Sequence, residues 1–254
     1  MTTSPSHADG VQTLPSASLT GMLTATVAYA FSDRSFGTMS ATVGEGDHRR
    51  SRAALAAQVD TDPSRVSWMD QIHGDTVTVL DEPVAQPPRC DALVTVQPDV
   101  GVAVLAADCV PLLFATADGV AAAHAGRQGL VQDVVGATAR RLGQLSTGPP
   151  RDVAVVIGPA IGPCCYEVPL DMVQQVDAVV PGTRGQTTWG SPSVDLVAGV
   201  VRQLHNVGIR RIARAGHCTR CGQDGRWFSH RASGGVQRRP PGRQAGIAVR
   251  WTRR

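Results

Sequence analysis

Lysine is absent from this chain of 254 residues, and all 24 basic side chains are arginine. The chain therefore offers no Schiff-base lysine, no pyridoxal phosphate anchor and no P-loop lysine, since each of these needs the amine itself. Aromatic residues are also scarce, at 4% of the chain. Because a surface that stacks the bases of single-stranded nucleic acid needs several aromatic platforms, we expect no nucleic-acid partner.

Long apolar runs are absent as well. No stretch reaches the roughly 18 apolar residues that a membrane-spanning helix needs, so we expect no membrane partner. The first basic side chain is Arg34, and no charged segment precedes an apolar one as in a secretion signal. We therefore expect a cytoplasmic protein whose six cysteines are reduced.

The pattern of apolar residues predicts short strands and amphipathic helices. Residues 1–22 are rich in Ser, Thr, Pro and Gly, which predicts a disordered or loosely docked N-terminal tail. No linker or repeat divides residues 23–254, which we assign to a single catalytic domain. Helical spacing of apolar residues predicts helices at 47–59, 129–145, 171–179 and 194–206. The strands between them do not alternate strictly with helices, so we expect an α+β fold with mixed β-sheets flanked by helices.

Three predicted strands end close to a side chain that could bind a transition metal: His73, Cys109 and His124. Zinc accepts imidazole nitrogen and thiolate sulfur, and three protein ligands leave a fourth position for water or substrate, as in catalytic sites. Bound zinc would lower the pKa of its water to roughly 7 or polarise an oxygen of the substrate. Asp108 adjoins the thiolate, which makes it a candidate catalytic residue, either as an outer partner of the metal site or as a proton acceptor.

Spacing alone leaves other interpretations of these residues open. Separations of 36 and 15 residues between the three side chains are not a local metal signature. A buried core cysteine and two hydrogen-bonded histidines would fit the same sequence. Arg52, Arg231 and Arg243 stand in motif-like sequence, where a guanidinium fork would match phosphate or carboxylate. Of these, Arg52 and Arg243 are the candidate phosphate- or substrate-binding residues. A solvated surface charge is the alternative at each of these arginines.

Four further cysteines form two pairs, Cys164-Cys165 and Cys218-Thr219-Arg220-Cys221. Together they could form a structural zinc site, and the C-x-x-C pattern also fits a redox motif. We expect reduced structural thiols instead, because two adjacent cysteines are poorly placed to chelate one metal jointly with a distant pair.

Eight stretches of the chain form an ordered set of motifs. They are QIHGDTV (71–77), CDALVT (90–95), VAVLAADCVPLLF (102–114), AAAHAG (121–126), IGPAIGPCCYEV (157–168), CTRC (218–221), FSHR (228–231) and GRQAGIAVR (242–250). In this order the motifs resemble a bacterial family first described as multicopper polyphenol oxidases or laccases. The same family is also described as zinc-dependent purine nucleoside phosphorylases and as peptidoglycan editing factors.

The resemblance implies that His73, Cys109 and His124 bind zinc in a cleft of a compact α+β domain. It implies phosphorolysis of adenosine and inosine to the free base and ribose 1-phosphate, so that a purine nucleoside and phosphate are the partners. Methylthioadenosine phosphorolysis and adenosine deamination are the implied companion activities. The family usually reads His-Ala-Gly-Trp-Arg-Gly, whereas this chain has Arg127 and Gln128 in place of Trp-Arg. We expect this departure to weaken or alter substrate binding.

Three alternative functions remain open from the sequence. In the first, Cys109 is the nucleophile of a cysteine hydrolase or amidase that acts on peptidoglycan precursors, with His124 or His73 as its base. The second is a phenol oxidase that uses Cu²⁺ in a site of two histidines and one cysteine. Against it, multicopper oxidation needs a histidine-rich cluster, and the chain has seven histidines with no His-x-His pair. The third is a septum-associated interaction protein with a vestigial site.

Overall fold

The computed structural model describes residues 15–43, 46–222, 225–234 and 242–252. Five α-helices lie in these ranges: α1 (His48–Ala57), α2 (Arg127–Val131), α3 (Val134–Leu145), α4 (Leu170–Val179) and α5 (Leu196–Asn206). The strands there are β1 (Ser16–Ala17), β2 (Thr20–Met22), β3 (Val27–Phe31), β4 (Val66–Ser67), β5 (Val77–Val79), β6 (Ala92–Thr95), β7 (Gly101–Ala106), β8 (Val110–Ala115), β9 (Val120–Ala125), β10 (Ala154–Ile157), β11 (Arg184–Gln186), β12 (Pro192–Val194), β13 (Arg211–Ala215) and β14 (Gln244–Arg250). Among the described helices, none combines the length and the apolar character needed to cross a membrane.

Two large sheets organise the domain. The first has seven strands in the order β1-β13-β10-β8-β9-β6-β5, and the second has five in the order β2-β3-β14-β7-β4. Both sheets mix parallel and antiparallel pairs: β10 runs parallel to β13 but antiparallel to β8, and β4 runs parallel to β7 while β14 runs antiparallel to it. The prediction of a single α+β domain with mixed sheets and flanking helices is confirmed.

Side chains alternate across the strands and separate the core into layers. On β8, Leu112 and Phe114 join a cluster beneath α3, α4 and α5, whereas Leu113 and Ala115 face the five-stranded sheet. This alternation follows from the two-residue period of a strand. The outer face of the five-stranded sheet is covered in part by α1, which buries Leu55 there. The order of layers is therefore helices, sheet, sheet, helix.

Two elements differ from the sequence predictions. The helix predicted at 129–145 is divided into α2 and α3, because Asp133 has a φ of 63°, a left-handed conformation that an α-helix cannot contain. At the N-terminus, β1 and β2 pair with β13 and β3, so the predicted tail includes residues that belong to the sheets. Residues 1–14 of that tail lie outside the described residues.

The N-terminus of α1 follows the sequence prediction. Asp47 caps the helix, and its side chain accepts hydrogen bonds from the backbone N–H groups of Arg49 and Arg50. A carboxylate in this position satisfies donors that have no partner within the helix. The cap fixes the start of α1, the helix that contains Arg52.

Candidate metal centre and arginine-lined cleft

The fold brings His73, Cys109 and His124 together. His73 lies in the loop between β4 and β5, and Cys109 lies in the turn between β7 and β8. His124 is the penultimate residue of β9. Their donor atoms all lie within 4.8 Å of one another. His124 is buried, Cys109 is partly buried and His73 is exposed, so the group opens to solvent on one side.

The chemistry and spacing of the three donors fit a zinc ion. Zinc bonds of about 2.0–2.3 Å place tetrahedral ligand atoms roughly 3.3–3.8 Å apart. The three donor atoms all lie within 4.8 Å of one another, so small side-chain movements would bring them to that spacing. Gly126 leaves room at the centre, because a Cβ at this position would lie 3.1 Å from Cys109 Sγ and 3.2 Å from His73 Cδ2. Two imidazoles and one thiolate are borderline and soft donors that suit zinc, and they leave one coordination position for another ligand.

Asp91 supports both histidines from beneath the centre. Its buried carboxylate accepts a hydrogen bond from His124 Nδ1 at 2.9 Å. It also accepts bonds from the backbone N–H groups of His73 at 3.0 Å and Gly74 at 2.7 Å. These bonds hold His73 at a φ of 61°, which is a strained conformation for this residue. A carboxylate behind a metal-binding histidine fixes its tautomer and ring orientation.

Sequence reasoning missed Asp91. The signal was an acidic residue directly before the buried strand β6, within the motif CDALVT, where an uncompensated carboxylate would be costly. Its partners come from positions 17–33 residues away along the chain, so only the folded structure identifies them.

The charges of the centre reinforce one another. Burial by itself would raise the pKa of Cys109, but the His124 charge and hydrogen bonds from His124 and His73 lower it to about 6. Burial would lower the pKa of His124, but the Cys109 thiolate and the Asp91 carboxylate raise it to about 9. Between these values the pair is a thiolate facing an imidazolium. Metal binding requires the thiolate and a neutral imidazole, so a divalent cation would displace the proton of His124.

Asp108 lies beside the centre with its carboxylate engaged on both oxygens. Oδ1 accepts a hydrogen bond of 2.6 Å from the Thr219 hydroxyl, and Oδ2 accepts one of 2.7 Å from the backbone N–H of Arg231. Its φ of 91° is left-handed, so the turn before Cys109 is strained. Asp108 therefore connects the turn that carries Cys109 to two distant loops that line the same cleft.

The centre opens into a cleft of about 1190 Å³. Five arginines line this cleft: Arg52, Arg127, Arg220, Arg231 and Arg243. Three acidic residues line it as well, namely Asp70, Asp108 and Glu167, and Asp108 is already hydrogen-bonded on both oxygens. The positive charge concentrated beside the metal centre is suited to an anionic ligand.

Arg52 and Arg243, which the sequence offered as candidate phosphate- or substrate-binding residues, both line the cleft. Arg52 donates through Nε to the backbone oxygen of Met39 at 2.8 Å, and its guanidinium lies 3.9 Å from the centroid of the Trp68 ring. Burial lowers the pKa of Arg52 to about 10, which still leaves it charged at neutral pH. Arg243 is tied through its backbone to Thr38 and Met39. Their contact with substrate remains a prediction.

Three further polar residues line the cleft: Arg127, Gln128 and Arg231. Arg127 and Gln128, which replace the usual Trp-Arg pair, both line the cleft next to His124. The Arg231 guanidinium lies over the Tyr166 ring, 5.0 Å from its centroid, and donates to the backbone oxygen of Glu167 at 2.9 Å. The altered pair therefore faces the same space as the metal centre and the candidate anion ligands.

Cys164, Cys165, Cys218 and Cys221 are free cysteines, but the adjacent pair is not poorly placed to join the distant pair, as the sequence had suggested. The sulfurs of Cys164, Cys165, Cys218 and Cys221, called here the cysteine cluster, all lie within 4.8 Å of one another. The adjacent pair can converge with the C-x-x-C pair because residues 162–166 form a tight turn, in which Cys165 and Tyr166 donate their backbone N–H groups to the oxygen of Gly162.

A two-sheet α+β domain with a His-Cys-His centre in an arginine-lined cleft defines a class of candidate metalloenzymes. The chain belongs to the family described as multi-copper polyphenol oxidoreductase laccase, whose model matches residues 22–250. A protein of Streptomyces coelicolor named purine nucleoside phosphorylase is 45% identical over 199 residues, which cover 77% of this chain and 79% of that protein. One of Streptomyces griseus with the same name is 39% identical over 243 residues, covering 89% and 96%.

Solved structures share the fold. The crystal structure of YlmD from Geobacillus stearothermophilus is similar with a TM-score of 0.77 at 26% identity, covering 91% of this chain and 94% of that one. The hypothetical protein YfiH of Bacillus licheniformis gives a TM-score of 0.75 at 25% identity, covering 88% and 92%. The fold of this chain is therefore shared with both of these proteins.

Proposed function

We propose that this protein is a zinc-dependent purine nucleoside phosphorylase that converts adenosine or inosine and phosphate to the free base and ribose 1-phosphate. The observation that carries the proposal is the His73, Cys109 and His124 group, which opens into a cleft lined by five arginines. The names of the Streptomyces relatives support the same activity. Methylthioadenosine phosphorolysis and adenosine deamination are proposed as companion activities of the same centre.

In this proposal the arginines bind phosphate and orient it. Arg52 and Arg243 approach the cleft from different elements, so together they could hold a tetrahedral anion beside the nucleoside. Fixing both reactants in one cleft removes much of the entropic barrier of a reaction between two molecules. Zinc bound by the three donors would supply positive charge that stabilises an anion formed during the reaction.

Asp108 was the candidate catalytic residue, and its hydrogen bonds favour a positioning role. An oxygen that already accepts a short bond from Thr219 or from the Arg231 backbone is less available to accept a proton from substrate. In this role Asp108 holds the loop of Arg231 against the turn that carries Cys109. Proton transfer by Asp108 is the alternative, and the Asp108→Asn variant distinguishes the two roles.

The donor set favours zinc over copper. Among the described residues, two groups could hold a metal: the His-Cys-His centre and the cysteine cluster. Together they contain only two imidazoles, whereas multicopper oxidation needs a histidine-rich cluster. Metal analysis of protein made without added copper tests this preference, because an active zinc-only protein contradicts a copper mechanism.

The test of the proposed function is a product assay with purified protein. Adenosine and inosine are incubated with and without phosphate, and free base, ribose 1-phosphate and inosine are measured. Phosphate-dependent release of base supports the proposal, whereas release that ignores phosphate indicates hydrolysis. Conversion of adenosine to inosine measures deamination separately. A His73→Ala variant should lose both activities, and Arg49→Gln, an exposed change on α1, should lose neither.

A cysteine hydrolase is a second candidate, favoured by one specific arrangement. Cys109 faces His124, and His124 is oriented by Asp91, which is the order of groups in a nucleophilic triad. The low pKa of Cys109 would keep it a thiolate near neutral pH. Chelator treatment separates the candidates: a hydrolase of this kind keeps its activity without metal, and a zinc enzyme loses it until zinc is restored.

A further inference from the structure

The cysteine cluster lies outside the His-Cys-His centre and is not used by the proposed reaction. Two of its sulfurs, those of Cys164 and Cys221, are 3.6 Å apart. In a tetrahedral zinc site with bonds of about 2.3 Å, neighbouring sulfurs lie roughly 3.8 Å apart. The whole cluster lies within 4.8 Å, so small side-chain movements would complete a tetrahedron.

Backbone hydrogen bonds hold the two turns that carry these thiols and connect them to each other. Backbone N–H groups surround Cys218 Sγ, and that of Gly162 donates to it at 3.3 Å. Such donors stabilise a thiolate ligand. In the C-x-x-C turn, Gly222 donates its N–H to the Cys218 oxygen at 2.8 Å. Thr219 donates its backbone N–H to Ala160, which fixes the C-x-x-C turn against the other one.

Glycine keeps space open at the cluster. A Cβ on Gly162 would lie 3.1 Å from Cys164 Sγ and 3.6 Å from Cys218 Cβ, so the absence of a side chain there lets the sulfurs approach one another. The cluster is also unlike ordinary core cysteines, because Cys221 is exposed and Cys164 and Cys218 are only partly buried. Packing alone does not account for four thiols that converge at the surface.

We propose a second, structural zinc site whose four ligands are the sulfurs of the cysteine cluster. A Cys₄ set is closed, with no position for water or substrate, so this ion stabilises structure and takes no part in chemistry. A divalent ion with four thiolates keeps two negative charges in excess. Arg220 is suited to balance them, because its guanidinium donates to the Cys165 oxygen at 3.4 Å and thus lies beside the cluster.

The site would hold one wall of the cleft in place. Tyr166 and Glu167 follow the first cysteine pair directly and line the cleft, and Arg220 lies between the two cysteines of the second pair and lines it too. Thr219, in the same C-x-x-C turn, donates its hydroxyl to Asp108. Zinc would therefore tie together two turns that are more than 50 residues apart in the chain and meet beside the His-Cys-His centre.

Metal stoichiometry of the full-length protein tests the proposal independently of any nucleoside activity. Protein purified with a reductant, reloaded with zinc and dialysed should contain two zinc ions per chain. Cys221→Ser should retain one, held by the His-Cys-His centre, and His73→Ala should retain one, held by the cluster. Cys221→His should keep two, because histidine is also a zinc ligand. Cys90→Ala, which removes a buried thiol elsewhere, should keep two as well.

A spectroscopic measurement identifies the ligands without depending on the cluster variants. In His73→Ala loaded with cobalt(II), the cluster should give the intense thiolate-to-cobalt charge-transfer absorption of a four-sulfur site. One zinc per wild-type chain that is kept in Cys221→Ser and lost in His73→Ala, or a cobalt spectrum of His73→Ala without this absorption, overturns the proposal. A native Cys164–Cys221 disulfide, found as a mass loss of two hydrogens under non-reducing conditions, would show a redox pair instead of a metal site.

Discussion

His124 donates a hydrogen bond of 2.9 Å from Nδ1 to the buried carboxylate of Asp91. The same carboxylate accepts hydrogen bonds from the backbone N–H groups of His73 and Gly74. One carboxylate therefore orients two of the three candidate metal ligands. A change at Asp91 should act on both histidines at once, although Asp91 itself does not face the cleft.

Asp91→Asn should weaken metal binding while the fold persists. An amide cannot satisfy His124 and the loop N–H groups together, and loss of such a partner typically lowers metal affinity about 10–100-fold. Competition with a chromophoric zinc chelator measures the affinity. Asp75→Asn is the matched control, since Asp75 lies in the same loop and is exposed. Equal affinities in the two variants would argue against the orienting role.

Gly126→Ala should also reduce metal affinity, for a steric reason. The added Cβ would lie 3.1 Å from Cys109 Sγ and 3.2 Å from His73 Cδ2, which forces the ligands apart. Gly143→Ala is the control, because it replaces a glycine inside α3 and its added Cβ would meet nothing within 4 Å beyond the backbone of its own helix. That control should gain up to about 1 kcal/mol in the free energy of unfolding. Thermal unfolding and zinc titration of both variants check these outcomes.

Alkylation of Cys109 in chelator-treated protein should depend on pH with a midpoint near 6. The thiolate is the reactive form, and it accumulates as pH rises through the pKa, which the charged His124 lowers to about 6. Reaction should therefore be slow below this pH and reach a plateau above it. In His124→Gln the charge is lost and the midpoint should move to higher pH, while zinc should protect Cys109 in the wild type. The modified peptide is identified by mass spectrometry.

Replacing Arg52 or Arg243 with Gln should raise the KM for phosphate more than it lowers kcat. A hydrogen bond to a charged group contributes about 1.5–3 kcal/mol, so loss of one predicts a KM about tenfold higher or more. Arg49→Gln, on the exposed side of the same helix as Arg52, should leave the KM unchanged. An unchanged KM for phosphate in both cleft variants would mean that the anion binds elsewhere.

Asp108→Asn separates positioning from proton transfer. If Asp108 positions the loops, the variant loses one of two hydrogen bonds, and kcat/KM falls without a change in the shape of its pH profile. Thr219→Val, which removes one of the same bonds, should give a similar loss. If Asp108 instead transfers a proton, only Asp108→Asn removes a limb of the profile.

The sequence by itself predicted much of the framework. Short apolar runs indicated the buried strands, although not β1 and β2, and the helix predicted from residue 47 matches the start of α1, because these signals act over a few neighbouring residues. The ordered motifs also identified the candidate ligands His73, Cys109 and His124. The break at Asp133 was not predicted, because the apolar spacing continues across it while the backbone turns left-handed.

Tertiary structure decided the relationships between distant residues. Asp91 accepts hydrogen bonds from the His73 backbone and the His124 ring only because the fold brings the loop at 72–74 and strand β9 to the start of β6. The adjacent Cys164-Cys165 pair joins Cys218 and Cys221 only because two segments more than 50 residues apart meet. The backbone N–H of Thr219 donates to the Ala160 oxygen, and that of Gly162 donates to Cys218 Sγ. Local sequence sets the conformation of each turn, whereas the packing of the sheets sets which turns meet. Residue types therefore indicated which side chains could bind a metal, and the fold determined which of them lie close enough to bind one together.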